Sequence, residues 1–172
     1  MEKGQIFLLS GLSGAGKTTL GKAFAEMLKK SGKKSYFLDG DDVRKFFEDK
    51  ELSEEKRLEQ GKRLAHSAKI LSENGIEVVI GVTMGQHYLR DYMKSKINFI
   101  EVFLDADIQD CIKYDPRGFY KERMKLAQPL LRGVDLPFEK PENPELVVYP
   151  YKESLEESLL RIKDYLKEIK YL

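Results

Sequence analysis

The chain has a single cysteine, Cys111, in 172 residues. An intrachain disulfide is excluded, and the composition argues against a thiolate metal cluster. Cys111 lies in "DIQDCIKYD" at helical spacing from Ile108, which reads as a small buried apolar side chain rather than a reactive thiol. Charge of one sign is also lacking: 30 Lys and Arg against 29 Asp and Glu leave a formal net charge of +1. Bulk charge therefore gives no support to nucleic-acid or membrane binding. Lysine-rich runs such as "LKKSGKK" read as solvated helix ends and turns. Long apolar runs are missing too. The N-terminal "MEKGQIFLLSG" has only a short one, unlike a signal peptide, and no stretch approaches a membrane span. A cytoplasmic location is the default expectation. No internal repeat or low-complexity linker divides the chain, so residues 1–172 are expected to form one domain with a sizeable core.

Short apolar runs alternate with longer helical patterns. Strands are expected at 5–10, 34–39, 76–82, 97–105 and 145–149. Between the first two, Leu20, Phe24, Met27 and Leu28 share one helix face that stops at Gly32. A long helix is expected from the N-cap candidate Ser53 to Gly75, and further helices over "HYLRDYMKSK", "DADIQDCIKYD" and 154–169. Strand–helix alternation of this kind is the pattern of an α/β fold: a three-layer, doubly wound parallel sheet. Such sheets bind ligands beyond the carboxyl ends of their strands. Residues 115–145, rich in proline and basic side chains, break the alternation. They read as a long irregular loop, with 115–140 a lid over phosphates and a mobile surface excursion as the alternative.

"GLSGAGKT", residues 11–18, fits G-x-x-x-x-G-K-[ST] with a strand before it and an amphipathic helix after it. Glycines let successive backbone N–H groups point at one anion, and the helix N-terminus adds its dipole. Gly11, Ser13, Gly14, Ala15, Gly16, Lys17, Thr18 and Thr19 are the candidate ATP-binding residues, joined by Arg117 from the lid. Lys17 would reach the β- and γ-phosphates, and the Thr18 hydroxyl would bind Mg²⁺. No guanine-reading N-K-x-D is present, and the strand at 76–82 runs into "GVTMG" without the acid of a motor-type ATPase. A small kinase remains.

"LDGDDVR", residues 38–44, crowds Asp39, Asp41 and Asp42 beside Arg44 at a strand end. Like charges this close need a positive partner. One carboxylate near Mg²⁺, another near an acceptor hydroxyl, and Arg44 on an anionic acceptor satisfy that need. An Asx-turn with an N-cap accounts for one aspartate but not for three.

These strings resemble the adenylylsulfate (APS) kinase family nearly end to end. "GLSGAGKTTL" matches its P-loop, and "LDGDDVR" resembles its L-D-G-D-N-V-R. "FIEVFLDADIQDC", "DPRGFYK" and "PFEKPENPEL" each resemble a family string in order. The resemblance implies transfer of the γ-phosphate of MgATP to the ribose 3′-hydroxyl of a nucleotide. It implies Asp41 as base or hydroxyl orienter and Lys17 on the phosphates. Asp39 would join Thr18 in the metal shell. Arg44 and Arg57 would hold the acceptor's 5′ arm, and Lys121 would serve the lid. It allows a homodimer, with ATP and a small nucleotide as the other partners. Departures gather on the acceptor side. Leu52 and Leu131 stand where the family carries the two phenylalanines that sandwich adenine. Arg132 replaces a threonine, Gln60 an asparagine, and "TMGQHY" the family's I-S-P-Y-R. The family has a branch, cytidine diphosphoramidate kinase, that serves phosphoramidate decoration of surface polysaccharide. The departures lean to that acceptor, with APS itself as the alternative. A non-catalytic nucleotide sensor is the reading from another class, and intact Lys17, Thr18 and Asp41 speak against it.

Overall fold

The computed structural model describes residues 2–172. Five parallel strands lie in the order β2-β3-β1-β4-β5: β1 Ile6–Gly11, β2 Ser35–Asp39, β3 Glu77–Val82, β4 Ile100–Leu104 and β5 Leu146–Val148. β1 and β3 are buried along their whole length, as continuous apolar runs of a two-sided parallel sheet should be. β2, at the edge, alternates. The pleat of β1 separates two cores. Phe7 and Leu9 face α1 (Lys17–Lys30) and α7 (Leu155–Glu168), meeting Phe24, Leu28, Ile162 and Leu166. Ile6 and Leu8 face α3 (Glu54–Glu73) and α4 (His87–Lys94), meeting Leu64, Ala68, Leu89 and Met93. The three-layer α/β architecture expected from the alternation is the one observed.

Local chemistry sets the helix ends. Asp39 caps the short α2 (Gly40–Phe46) by accepting from the Asp41 N–H at 2.8 Å. Asp107 caps α5 (Ile108–Lys113) in the same way. Ser154 and Glu157 close a capping box at α7. Ser53 sits at the N-cap of α3, yet its side chain makes no capping bond. β4 begins at Ile100 rather than 97, because the Ile97 N–H still donates to Met93 O at the end of α4.

Residues 115–145 depart from the irregular loop expected. They contain α6 (Phe119–Arg123), entered through Gly118 in the left-handed region. The Asp135 carboxylate then accepts from the N–H groups of Leu130 and Leu131 at 2.8 and 2.6 Å. Tyr120, Leu131 and Arg132 are buried. Among the described residues no helix is long and apolar enough to cross a membrane.

Candidate active site

The site lies beyond the carboxyl ends of β1, β2 and β3. β1 is flanked by β3 and β4, and it is followed by α1 on one face of the sheet, whereas β3 is followed by α4 on the other. β1 runs straight into the glycine-rich loop, where Gly14 and Gly16 take φ of 81° and 86°, values that favour glycine. The Lys17 ammonium is enclosed and donates to the carbonyls of Gly11 at 3.0 Å and Leu12 at 2.6 Å. Burial lowers its pKa to about 8, against the pull of Asp41 and Asp39. Two tyrosines brace the loop from outside it. Tyr120 Oη donates to Ser13 O at 2.8 Å, and Tyr151 Oη donates to Gly14 O at 2.9 Å. Neither was singled out from sequence. The signal for Tyr151 was its place just past the last strand, at the end of the sheet where ligands bind. The same β5–α7 connection lines a cavity of about 170 Å³ beside Gly16 and Thr19, with Pro150 and Leu155 on its far wall.

Asp39 has two tasks. While one oxygen caps α2, the other accepts from the Thr18 hydroxyl at 2.8 Å. The strand-end aspartate and the loop threonine are thus brought together as the motifs implied. Asp41 is exposed beside them, and Arg117, from the segment expected as a lid, reaches its carboxylate at 3.2 Å. Asp42 is exposed and pairs with Lys45 at 3.2 Å.

Three arginines, Arg44, Arg57 and Arg132, gather on the side that the resemblance gives to the acceptor. Arg44 is half-buried, and its pKa is lowered by burial against the opposing pull of Asp41 and Asp49. Arg57 is buried and donates to Leu52 O at 2.9 Å and Leu130 O at 2.8 Å. It ties Leu52 and the residue just before Leu131 to α3 through their backbones, a role its place in the sequence did not suggest. Burial, with Arg132 and Arg44 nearby, takes its pKa down to about 10, still charged at neutral pH. Gln60 is buried and donates to Gly40 O. Lys121 is exposed on α6 and does not join the group. Arg123, also in the lid, turns back to Pro129 O. Cys111 is fully buried against Gly14, and burial pushes its thiol up to about 11, which suits an inert role.

An anion-binding glycine loop with an enclosed lysine, at the switch point of a parallel sheet beside an Asp-Gly-Asp turn, defines a P-loop kinase. Known proteins narrow it further. The family model for adenylylsulphate kinase matches residues 3–149, and the chain belongs to that family. It is 34% identical to an adenylyl-sulfate kinase of Clostridium acetobutylicum over 99% of this chain and 87% of that protein. It is likewise 34% identical to one of Picosynechococcus, covering 99% of this chain and 97% of the relative. A Mycobacterium tuberculosis APS kinase, solved in complex with AMPPNP and APS, superposes with a TM-score of 0.88 at 30% identity, over 97% of this chain and 99% of that one. A shikimate kinase of Acinetobacter baumannii, 17% identical at a TM-score of 0.61, shares the fold. The protein is an ATP-dependent phosphotransferase that acts on a nucleotide hydroxyl.

The lowered pKa of Lys17 has a measurable consequence. Phosphate needs the ammonium, and the free protein loses it as pH rises through about 8. ATP binding above that pH must take up a proton. Affinity for MgATP is expected to fall roughly tenfold between pH 7 and pH 9, the cost of restoring one charge a unit above its pKa. Calorimetric titration at both pH values checks it; a flat profile contradicts the enclosed lysine as the phosphate partner.

Proposed function

We propose that the γ-phosphoryl group of MgATP passes to the ribose 3′-hydroxyl of a nucleotide with a short 5′ anhydride arm, and that adenylylsulfate is the acceptor. The observation that carries the transfer is the contact of Thr18 with Asp39, which sets the Asp-Gly-Asp turn against the phosphate loop. ATP would lie along residues 11–19, its base in the cavity lined by Pro150 and Leu155. Thr18 and Asp39 fit Mg²⁺, which takes few protein oxygens and completes its shell with phosphates and water. When bound, the ion offsets charge on the transferring group. Asp41 orients the hydroxyl, and Arg44 takes the anionic arm. Arg57 secures the walls of the cleft, and Arg117, with Lys121, belongs to the lid.

The names of the relatives support adenylylsulfate and give no support to the cytidine diphosphoramidate toward which the sequence leaned. One observation favours cytidine diphosphoramidate as a second reading. Leu52 and Leu131 are only 9% and 2% exposed, and Leu131 packs into the same core as Leu12. Leucine offers no flat face, and base–aromatic stacking is worth about 1–3 kcal/mol by alanine substitution. A smaller pyrimidine ring loses less by that change.

Steady-state kinetics with MgATP and both acceptors decide between them. The proposal expects APS to be turned over with the higher kcat/KM. Turnover of the cytidine compound with none of APS would overturn it in favour of the second reading.

A further inference from the structure

The two tyrosines that reach the phosphate loop bond it at adjacent peptide units. Tyr120, on α6, is 2% exposed, and its hydroxyl donates to Ser13 O at 2.8 Å. Tyr151, in the β5–α7 connection, donates to Gly14 O at 2.9 Å. Ser13 O belongs to the peptide unit that carries the Gly14 N–H. Gly14 O belongs to the unit that carries the Ala15 N–H. In a trans peptide the C=O and the N–H point opposite ways. A donor that fixes one of these carbonyls therefore fixes the direction of the next N–H. Burial keeps both phenols as donors: it pushes the Tyr151 pKa up to about 12 and raises that of Tyr120 as well.

Such control matters most around Gly14. Its φ is 81°, and glycine takes positive and negative φ about equally well. Either adjoining peptide unit can turn over at this residue with little steric cost. A turned unit would aim a carbonyl, not an N–H, at an anion in the loop. The two units are not held alike. The Gly14–Ala15 unit is tied at both ends, because the Ala15 N–H donates to Leu12 O at 3.1 Å. The Ser13–Gly14 unit is tied at its carbonyl, by Tyr120, and among the described residues no backbone carbonyl takes the Gly14 N–H. α5 closes another side. A Cβ on Gly14 would stand 3.2 Å from Cys111 O and 3.5 Å from the Cys111 Cβ.

We propose that Tyr120 is a positioning residue for the phosphate loop: its hydroxyl fixes the Ser13–Gly14 peptide so that the Gly14 N–H faces the phosphates of ATP, and Tyr151 braces the next peptide as a secondary support. The inference rests on the reading of residues 11–19 as the ATP site and deepens it. Segment 115–145 thereby acts on the donor nucleotide through the backbone of the loop, whatever else it covers.

The test uses Tyr120→Phe and Tyr151→Phe, each of which keeps its ring and loses one hydroxyl. The Kd for MgATP, read by calorimetry, should rise about two- to tenfold in Tyr120→Phe, the span of one lost hydrogen bond. It should rise less in Tyr151→Phe, whose peptide unit keeps the bond to Leu12. ¹⁵N relaxation dispersion reads the turning of the peptide itself. The Gly14 amide should be quiet in the wild-type protein and show μs–ms exchange in Tyr120→Phe, suppressed again by MgATP. A Tyr120→Phe protein that melts earlier but matches wild type in Kd and at the Gly14 amide overturns the proposal, because the hydroxyl then serves packing alone. A larger effect from Tyr151→Phe overturns it too, as does exchange at Gly14 already present in the wild-type protein, which needs no variant to fold. A wild-type protein that does not bind MgATP overturns the ATP site itself.

Discussion

Lys17→Ala is expected to lower kcat by more than about a hundredfold while the protein stays folded. Phosphoryl transfer offers little covalent chemistry to its enzyme, so positioning and charge stabilisation supply nearly all of the acceleration. The ammonium is bonded to the carbonyls of Gly11 and Leu12 at the start of that loop. Truncation removes it from the place where charge develops. The fold has little to lose. Burial pulls the lysine's pKa down, so the folded protein holds the charged form less readily than water does. Tyr120 and Tyr151 still brace the loop at Ser13 and Gly14. The melting temperature should therefore stay within a few degrees of wild type. A variant with near-normal turnover would remove the phosphate-loop assignment.

Asp41→Asn is expected to lower kcat by about 10²–10⁴, the span of a general-base contribution, and to change KM much less. The substitution is nearly silent in structure. The Asp41 backbone N–H, which the Asp39 cap needs, is retained, and the Oδ facing Arg117 remains an acceptor. That ion pair is exposed on both sides and contributes little to stability. What changes is the charge that the proposed function places beside the acceptor hydroxyl. The transition state is loose, so orienting the hydroxyl counts alongside removing its proton. Asp42→Asn is the control. Asp42 reaches only Lys45 on the surface, and its loss should be minor. Rapid-quench kinetics on the two variants separate kcat from KM; greater damage from Asp42→Asn would contradict the role given to Asp41.

Features that rest on nearby residues were legible in the sequence. The spacing of Gly11, Gly16, Lys17 and Thr18 needs a strand before it and a helix after it, and both are readable from periodicity. Asp39 was readable as a strand-end acid because the apolar run of β2 stops there. The segment 115–140, expected as a lid, was legible only in outline, not in its internal order. Its order comes from bonds across the chain, such as Tyr120 to Ser13, 107 residues apart, and Arg57 to Leu130, 73 apart. No local pattern encodes such pairs. Arg57 shows the same limit from the other side. The resemblance marked it for the acceptor, yet two of its donors also bond backbone carbonyls, which only the folded chain shows. Glu54 was a charge on a helix face until Arg132 arrived from 78 residues away.

Transfer of the γ-phosphoryl group to a nucleotide 3′-hydroxyl is followed most directly with ATP labelled in the γ-phosphate, APS and Mg²⁺, with ³¹P NMR to locate the phosphate gained by the product. One labelled phosphate is expected on the ribose 3′-oxygen, formed in step with ADP and absent without acceptor. ADP release that ignores the acceptor, or label on any other oxygen, would contradict it.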